Sequence, residues 1–565
     1  MDIKNKKVLV LGGWGLVGTA VCRKLINEKP KQIILTSLLK KESLDAIKSL
    51  KNEFPKLPKN FFIPFWGNIF NRYKFKDLTK EEIISENNNR EVYIGDILDE
   101  MTPEILKSST IYKLLQIHKP DIIIDCVNSA TAIAYQDIFQ TARSVRSAIK
   151  NKSFDELRKT TEQLLSTLYI PQVIRHVQLF YKSMADFKIK VYIKIGTSGT
   201  GGMGLNIPYT HSEERPSRVL LSKSAVAGAH TLLLFLMART PDAPITKEIK
   251  PTGAIAWKKI SFGEIKKKGK PIPLFDNTIS NSFQLKNNLT LQNNSIKLEK
   301  LKTNLKSVFI DTGENGIFSR GEFEAISTPG QMEFVTPEEI AESVIFEIKG
   351  GNTGRDIINA LDNATLEPTY RAGFMFNKAL QKMKQLEKEN HTESVAFEML
   401  GPPRLSKLLY EAYLLKRSFK DINSVIAENA KNISHKLFLD IKKNKLLRSQ
   451  IISIGIPILL PDGKKLIRSK IIKIPTFKGE NELQISNSKI NKWAESGWID
   501  LRISNMNKWI NRFKDLKQKA LQFDANETSS RYFYDREYWN NFKSIEPGKL
   551  VGWIFSYEEH GQRMK

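Results

Sequence analysis

The sequence predicts an α/β fold: a Rossmann-type doubly wound parallel sheet with insertions and an added mixed α+β region at its C-terminal end. Three observations predict it. Residues 8 to 18, Val-Leu-Val-Leu-Gly-Gly-Trp-Gly-Leu-Val-Gly, run an apolar strand straight into Gly12-x-x-Gly15-x-x-Gly18 and a helix. Strand and helix patterns then alternate over the first 130 residues, the order that builds crossover units. Asp121–Cys126 is a continuous apolar run of the kind buried on both faces of a parallel sheet.

The elements follow in order. Strand one is Val8–Leu11, helix one Thr19–Asn27 and strand two Gln32–Thr36. Residues of about 50–90 are too long for a simple connection and read as an insertion. Glu91–Ile94 is predicted as strand three, followed by Gly95-Asp96. Ile111–Ile117 reads as helix, 137–188 as long helices, and Lys190–Ile195 as strand. The apolar run Ala225–Met237 is too short to span a bilayer and reads as a buried helix. Residues 277–306 are Asn-rich and polar, which predicts a mobile loop. Thr336-Pro337-Glu338-Glu339 spells a capped helix start, with Pro at the first helical position and Glu339 closing a capping box. Leu405–Arg417 and Phe419–Asn432 are amphipathic helices, and Pro461-Asp462-Gly463 predicts a hairpin between Ile451–Leu460 and Leu466–Ile474. The domains expected are 1–365 for the sheet and 366–565 for a substrate or interaction region.

At 565 residues the chain can bury a sizeable core. Its two cysteines, Cys22 and Cys126, lack metal or disulfide spacing, which points to a reducing cytoplasm and to no metal site. The first strand begins so early that no signal peptide is expected. The net charge of +27 has two readings. One is a lysine-rich composition that only solvates the surface; the other is an anionic partner. No arginine-rich stripe or nucleic-acid motif is present, so a small acidic or phosphorylated substrate is favoured over nucleic acid. A homo-oligomer is left open. Five of the eight tryptophans fall after residue 490 and read as core rather than as a ligand box.

The glycine turn carries the chemistry. Gly12 supplies a tight turn, Gly15 lets backbone approach a pyrophosphate, and Gly18 lets helix and strand pack closely. Leu16 and Val17 then offer N–H groups at a helix N-terminus, where an anion is favoured. Strand two ends in Thr36-Ser37-Leu38-Leu39-Lys40-Lys41, with no carboxylate before Glu42. Ser37 and Lys40 therefore suit the 2′-phosphate of NADP better than the ribose of NAD, unless Lys40 and Lys41 merely solvate the next helix.

Residues 1–365 resemble the extended short-chain dehydrogenase/reductase superfamily, which includes nucleotide-sugar epimerases and dehydratases. The glycine turn, Gly95-Asp96-Ile97-Leu98-Asp99, Ile195-Gly-Thr197-Ser198-Gly-Thr200 and the stretch Ile207-Pro208-Tyr209 to Ser222-Lys223-Ser224-Ala225 carry the resemblance. It also takes in Val335–Ile348 as a late helix and Gly350–Asp356 as the approach to a strand. The resemblance implies adenine contacts from Asp96 and Ile97, a cofactor contact from Asn128, a substrate-orienting Ser198, and a Lys223 that binds the cofactor ribose. The plain alternatives are turn-capping groups at Asp96 and Ser198 and a solvated lysine at 223.

One departure matters: the family's catalytic tyrosine lies four residues before the lysine, and here that residue is Val219. Valine carries no proton to transfer. Three readings stay open. In the first, a redox enzyme draws its proton from another group, Tyr209 being the nearest candidate. In the second, the scaffold runs different chemistry with Ser198, Lys223 and His211, Glu213 or Glu214. The third is a catalytically degenerate nucleotide-binding regulatory or interaction protein.

Overall fold

The computed structural model describes the chain except residues 135, 137, 197–217, 252–253, 268, 314–315, 329–334, 352–362, 367–368, 400–402, 478, 523–533 and 559–565. It forms two compact units, one from Met1–Ile207, Pro216–Ala256 and Glu333–Phe376, the other from Trp257–Met332 and Asn377–Lys565.

The first unit is built on seven strands: β1 Lys7–Leu11, β2 Gln32–Ser37, β3 Phe62–Trp66, β4 Ile122–Asp125, β5 Val191–Ile195, β6 Ile245–Pro251 and β7 Asn363–Leu366. Their order is β7-β6-β5-β4-β1-β2-β3, and every neighbouring pair is parallel. Alternate residues of each strand face opposite layers. Val8, Val10, Ile33, Leu35, Ile122 and Ile124 pack beneath α1 (Leu16–Asn27) and α2 (Lys40–Glu53). Leu9, Leu11, Ile34 and Ile123 pack on the other face. This is the doubly wound sheet the sequence predicts, and it reverses direction between β1 and β4, where such folds bind ligands.

Between β3 and β4 the chain adds α3 (Lys80–Ser85), α4 (Asn87–Leu98) and α5 (Pro103–Ser108) before α6 (Thr110–His118). Between β4 and β5 come α7 (Ser129–Ala134), α8 (Ile138–Lys150), α9 (Phe154–Leu165) and α10 (Tyr169–Asp186). The remaining helices are α11 (Arg218–Ala238) and α12 (Pro337–Ile348). α12 starts at the Thr336–Glu339 capping box read from the sequence. The window Leu221–Ala238 is apolar and long enough to cross a membrane by length and composition. In this fold Val226, Leu234 and Met237 of that helix are buried, while Leu221, Leu232 and Leu236 are exposed.

Several expectations need correction. Glu91–Ile94 is not strand three but part of α4; the strand is β3, inside the stretch read as an insertion. Pro64 has no N–H to donate, but β3 pairs with β2 alone and is the sheet's edge, where a missing donor is tolerated. The insertion therefore runs from Gly67 to Ser109 rather than over 50–90.

Residues 277–306 are not a loop. Phe283–Gln284, Asn288–Thr290 and Glu299–Asn304 each pair antiparallel with another strand. Asn287 and Asn288 are exposed between buried Leu285 and Leu289, while Asn277 is buried and donates to the Arg468 carbonyl at 3.0 Å. Residues 257–332 also group with the C-terminal unit, so that unit begins well before 366. Their strand Lys259–Glu264 pairs with Lys306–Asp311 of the same unit.

Ile451 lies within a helix, Lys445–Ser453, and the predicted hairpin shrinks to Ile458–Leu459 against Lys465–Ile467. Phe419–Asn432 breaks into two helices, Ile422–Ala427 and Ala430–Lys443. Trp493, Trp498, Trp509, Trp539 and Trp553 are all buried in this unit, as core.

Candidate functional site

The glycine turn has the geometry its spacing predicts. Gly12 sits at φ +73°, and a Cβ there would meet the Cys126 carbonyl carbon at 3.2 Å. A Cβ on Gly18 would stand 2.2 Å from the Gly12 carbonyl oxygen, so no larger residue lets α1 pack this closely. Gly15 is the N-cap of α1, no side chain caps that end, and its first turn holds no acid. Leu16, Val17 and Gly18 therefore open the helix beside β1 with its positive dipole end uncompensated, a cradle that fits a pyrophosphate.

At the end of β2, Ser37 Oγ donates to Glu42 Oε2 at 2.6 Å, so a carboxylate reaches this corner from within α2. Lys40 Nζ lies 5.0 Å over the Trp66 ring, with Lys76 Nζ at 5.2 Å. The corner thus holds two ammonium groups and the Glu42 acid, and Lys76 Nζ also pairs with Asp77 at 2.6 Å.

Asp96 and Ile97 do not stand at the end of a strand. Asp96 lies in α4, bound by Arg72 through Nε (2.9 Å) and Nη2 (2.6 Å), and Ile97 packs in a small core with Phe75, Ile83 and Tyr93. The residues that follow β3 are Gly67-Asn68-Ile69, with Gly67 at φ +123°. The spacing signal was there: a glycine and a small polar residue directly after an apolar run.

The sequence reading missed a buried row of charges on the carboxyl half of the sheet. Register places Asp125 of β4 beside Lys194 of β5, and Lys194 beside Glu248 of β6. Lys194 Nζ lies 3.0 Å from Asp125 Oδ2, and the two residues are 2% and 0% exposed at their side chains. Tyr192 Oη donates to the same Asp125 oxygen at 2.9 Å. Lys194 Nζ also donates to the Val127 carbonyl and to Ser129 Oγ at 3.2 Å. Lys250 Nζ donates to Thr231 Oγ1 at 2.8 Å and stands 3.8 Å from Glu248 Oε2.

A small cavity opens on this row, lined by Asn128, Ser129, Lys194, Gly196, His230 and Glu248 among others. His230 Nε2 and Glu248 Oε2 are buried without a hydrogen-bond partner. Burial holds the His230 imidazole well below its ordinary range and pushes the Glu248 carboxyl up, so both favour their neutral forms. Gly196 must be glycine here, because a Cβ would fall 2.0 Å from Glu248 Oε1.

Lys223 is buried in α11, on the same helical face as Ala227 and His230. The structure thus brings Asn128 and the Lys223 face to one end of the sheet. Ser198, Tyr209, His211, Glu213 and Glu214 lie outside the described residues, as does the Gly350–Asp356 approach beyond Gly351. The available signal for the row was a charge inside an apolar strand: Asp125 after Ile122-Ile-Ile, Lys194 within Val191-Tyr-Ile-Lys-Ile, and Glu248 within Ile245–Pro251. Among the described residues no group of three or more His, Cys, Asp or Glu side chains could hold a metal.

No curated protein matches the sequence. Matches to solved structures include Pen from Bacillus thuringiensis (14% identity, 44% of this chain and 51% of that chain, TM-score 0.22). Others are WbmH of Bordetella bronchiseptica, solved with NAD+ (9%, 61% and 72%, TM-score 0.28), and a short-chain dehydrogenase of Burkholderia cenocepacia, solved with NADP (9%, 69% and 98%, TM-score 0.30). The match to Pen spans about half of that protein's length. At these scores the Rossmann assignment rests on the sheet order itself. The family described as the β-methylindole-3-pyruvate reductase C-terminal domain matches residues 274–559, just over half of the chain. The chain belongs to the β-methylindole-3-pyruvate reductase C-terminal domain family.

Proposed function

We propose that the chain is a nicotinamide-dependent reductase of a small carbonyl compound bearing an acid group, in keeping with the 2-oxo acid in the family's name. The observation that carries this reading is the buried Asp125–Lys194–Ser129 arrangement at the end of the sheet that also holds the glycine cradle. Gly12, Gly15, Leu16, Val17 and Gly18 would hold the pyrophosphate, Asn68 and Ile69 the adenine side in place of Asp96 and Ile97, and Asn128 and Lys223 the ribose side. NADP is the favoured form, with Lys40 beside the 2′-phosphate and NAD as the alternative.

When bound, the cofactor supplies a hydride to the carbonyl carbon. The chain must then supply a proton to the carbonyl oxygen, and Val219 cannot. In this reading Lys194 Nζ gives its proton through Ser129 Oγ, leaving a neutral amine that solvent recharges. Asp125, 3.0 Å away, holds the Lys194 ammonium in place. Ser198 orients the substrate oxygen, and Tyr209 is the competing donor.

The test is oxidation of NADPH and of NADH by the full chain in the presence of indole-3-pyruvate and phenylpyruvate. Turnover of either acid with tighter binding of NADPH is expected. Tyr209→Phe should leave turnover unchanged, whereas its loss there would move the proton donor to Tyr209. Saturable cofactor binding with no turnover of any 2-oxo acid would favour the alternative of a nucleotide-binding interaction protein, which Val219 motivates.

A further inference from the structure

The first unit encloses a second cavity, of about 420 Å³, that neither the glycine turn nor the Lys194 row lines. Its walls come from the Gly67–Ser109 insertion, from α7 and from the first half of α10. A minimal crossover after β3 would not build it.

Its charges do not balance internally. Arg72 is neutralised by Asp96 through two hydrogen bonds and also pairs with Glu104. Lys80 and Arg175 have no such partner. Lys80 Nζ donates only to uncharged acceptors, the Gln136 side-chain oxygen and the Ser166 carbonyl (2.7 Å). Arg175, 8% exposed, gives one Nη2 hydrogen bond to the Asp99 carbonyl. Its Nε and Nη1 are buried without a partner. Asp96 and Asp99 act on Arg175 only through space, and Asp96 is already held by Arg72.

Buried Arg175 and half-buried Lys80 face one cavity with no carboxylate in ion-pair reach among the described residues, Glu81 acting on Lys80 only through space, a costly arrangement unless an anion completes it. Burial lowers the Lys80 ammonium to about 8 despite the opposing charge of Glu81. Phe70, Ile84, Ile133 and Leu179 give the wall an apolar side, and its one further carboxylate, Glu81, is exposed.

We propose that this cavity is a binding site for a small organic carboxylate with an aromatic or branched apolar body, distinct from the Gly12–Gly18 cradle although Asn68, placed above on the adenine side, stands at its edge. The carboxylate would take the free Nε and Nη1 donors of Arg175 and the charge of Lys80, and the apolar body would lie against Phe70, Ile84 and Leu179. A phosphate dianion fits less well, because it has no apolar body to lie against Phe70, Ile84 and Leu179.

The test is calorimetric titration of the full chain with benzoate, with and without saturating NADP, alongside inorganic phosphate. Benzoate is expected to bind whether or not NADP is present, with phosphate weaker. Arg175→Gln should weaken benzoate by about tenfold or more while leaving NADP affinity unchanged, and Arg175→Lys should restore part of the loss. Ile84→Trp, which fills the cavity from its apolar side, should also abolish benzoate binding. The inference is overturned if benzoate fails to bind the wild type, if Arg175→Gln or Ile84→Trp binds it as well as the wild type, or if NADP displaces it competitively. Each readout is of binding, so loss of the reductase reading would leave this result intact.

Discussion

Lys194 in the first unit and Arg448 in the second are both buried cations on an aspartate, yet they differ in what surrounds them. Arg448 grips Asp276 through Nε (2.8 Å) and Nη2 (2.7 Å), and its Nη1 donates to the carbonyls of Ile441 and Lys442. It ties the helix Lys445–Ser453 to the strand Pro273–Asp276 and lines none of the cavities described above. Lys194 pairs with Asp125 just as closely, but it opens on a cavity shared with unpartnered His230 and Glu248 atoms. A buried pair whose donors are all matched is a strut. One that faces incompletely satisfied neighbours at the carboxyl end of a parallel sheet is placed for chemistry.

The largest effect expected from this contrast is on stability in the second unit. Arg448→Met leaves Asp276 charged and buried, which should cost about 3–5 kcal/mol in a denaturant titration. Adding Asp276→Leu should recover much of that loss, and a double variant no better than the single one would mean that Arg448 acts through packing instead.

Lys194→Met should do the opposite, lowering turnover by about 10²-fold or more while the affinity for the nicotinamide cofactor stays within a factor of about three. Equal losses in cofactor binding and turnover would reduce Lys194 to a strut like Arg448.

The pH dependence of stability separates the units further. Burial holds His176 down to about 3 and His230 well below its ordinary value, both in the first unit. In the unfolded chain they take up protons near pH 6.5 that the folded state refuses, so stability is present above that pH and drains away as pH falls toward 3. Compared with His176→Phe, the wild type should lose on the order of 1 kcal/mol more per pH unit across that window. Parallel curves for the two proteins would show that His176 is not buried neutral.

The smallest effect belongs to a local device. Thr336 Oγ1 accepts from the Glu339 N–H at 3.3 Å, and Glu339 Oε2 accepts from the Thr336 N–H at 2.9 Å. Thr336→Ala should cost about 1 kcal/mol with no change in cofactor affinity. A thermal midpoint identical to that of the wild type would show that the buried position of α12, not its cap, holds the helix.

Much of the first unit was legible because its signals are local. The Gly12–Gly18 spacing, the apolar runs of β1, β2 and β4 and the Thr336–Glu339 box each depend on residues within a few positions of one another, and the structure keeps all of them. The errors arose where a partner decides the outcome. Pro64 forbids a central strand but not an edge strand, and only the pairing with β2 shows that β3 has one neighbour. Glu91–Ile94 has a strand-like composition, yet Tyr93 and Ile97, four apart, lie on one face of α4 in a core with Phe75 and Ile83.

The sequence by itself therefore determined the Gly12–Gly18 turn, the alternation that winds the sheet, and the absence of a tyrosine at 219. Tertiary structure alone decided which charges meet. Asp125 and Lys194 are 69 residues apart, and Glu248 lies 54 further on. No local pattern relates them. They become neighbours because three parallel strands share a register, and a one-residue slip in any of them would turn its charge to the opposite face of the sheet.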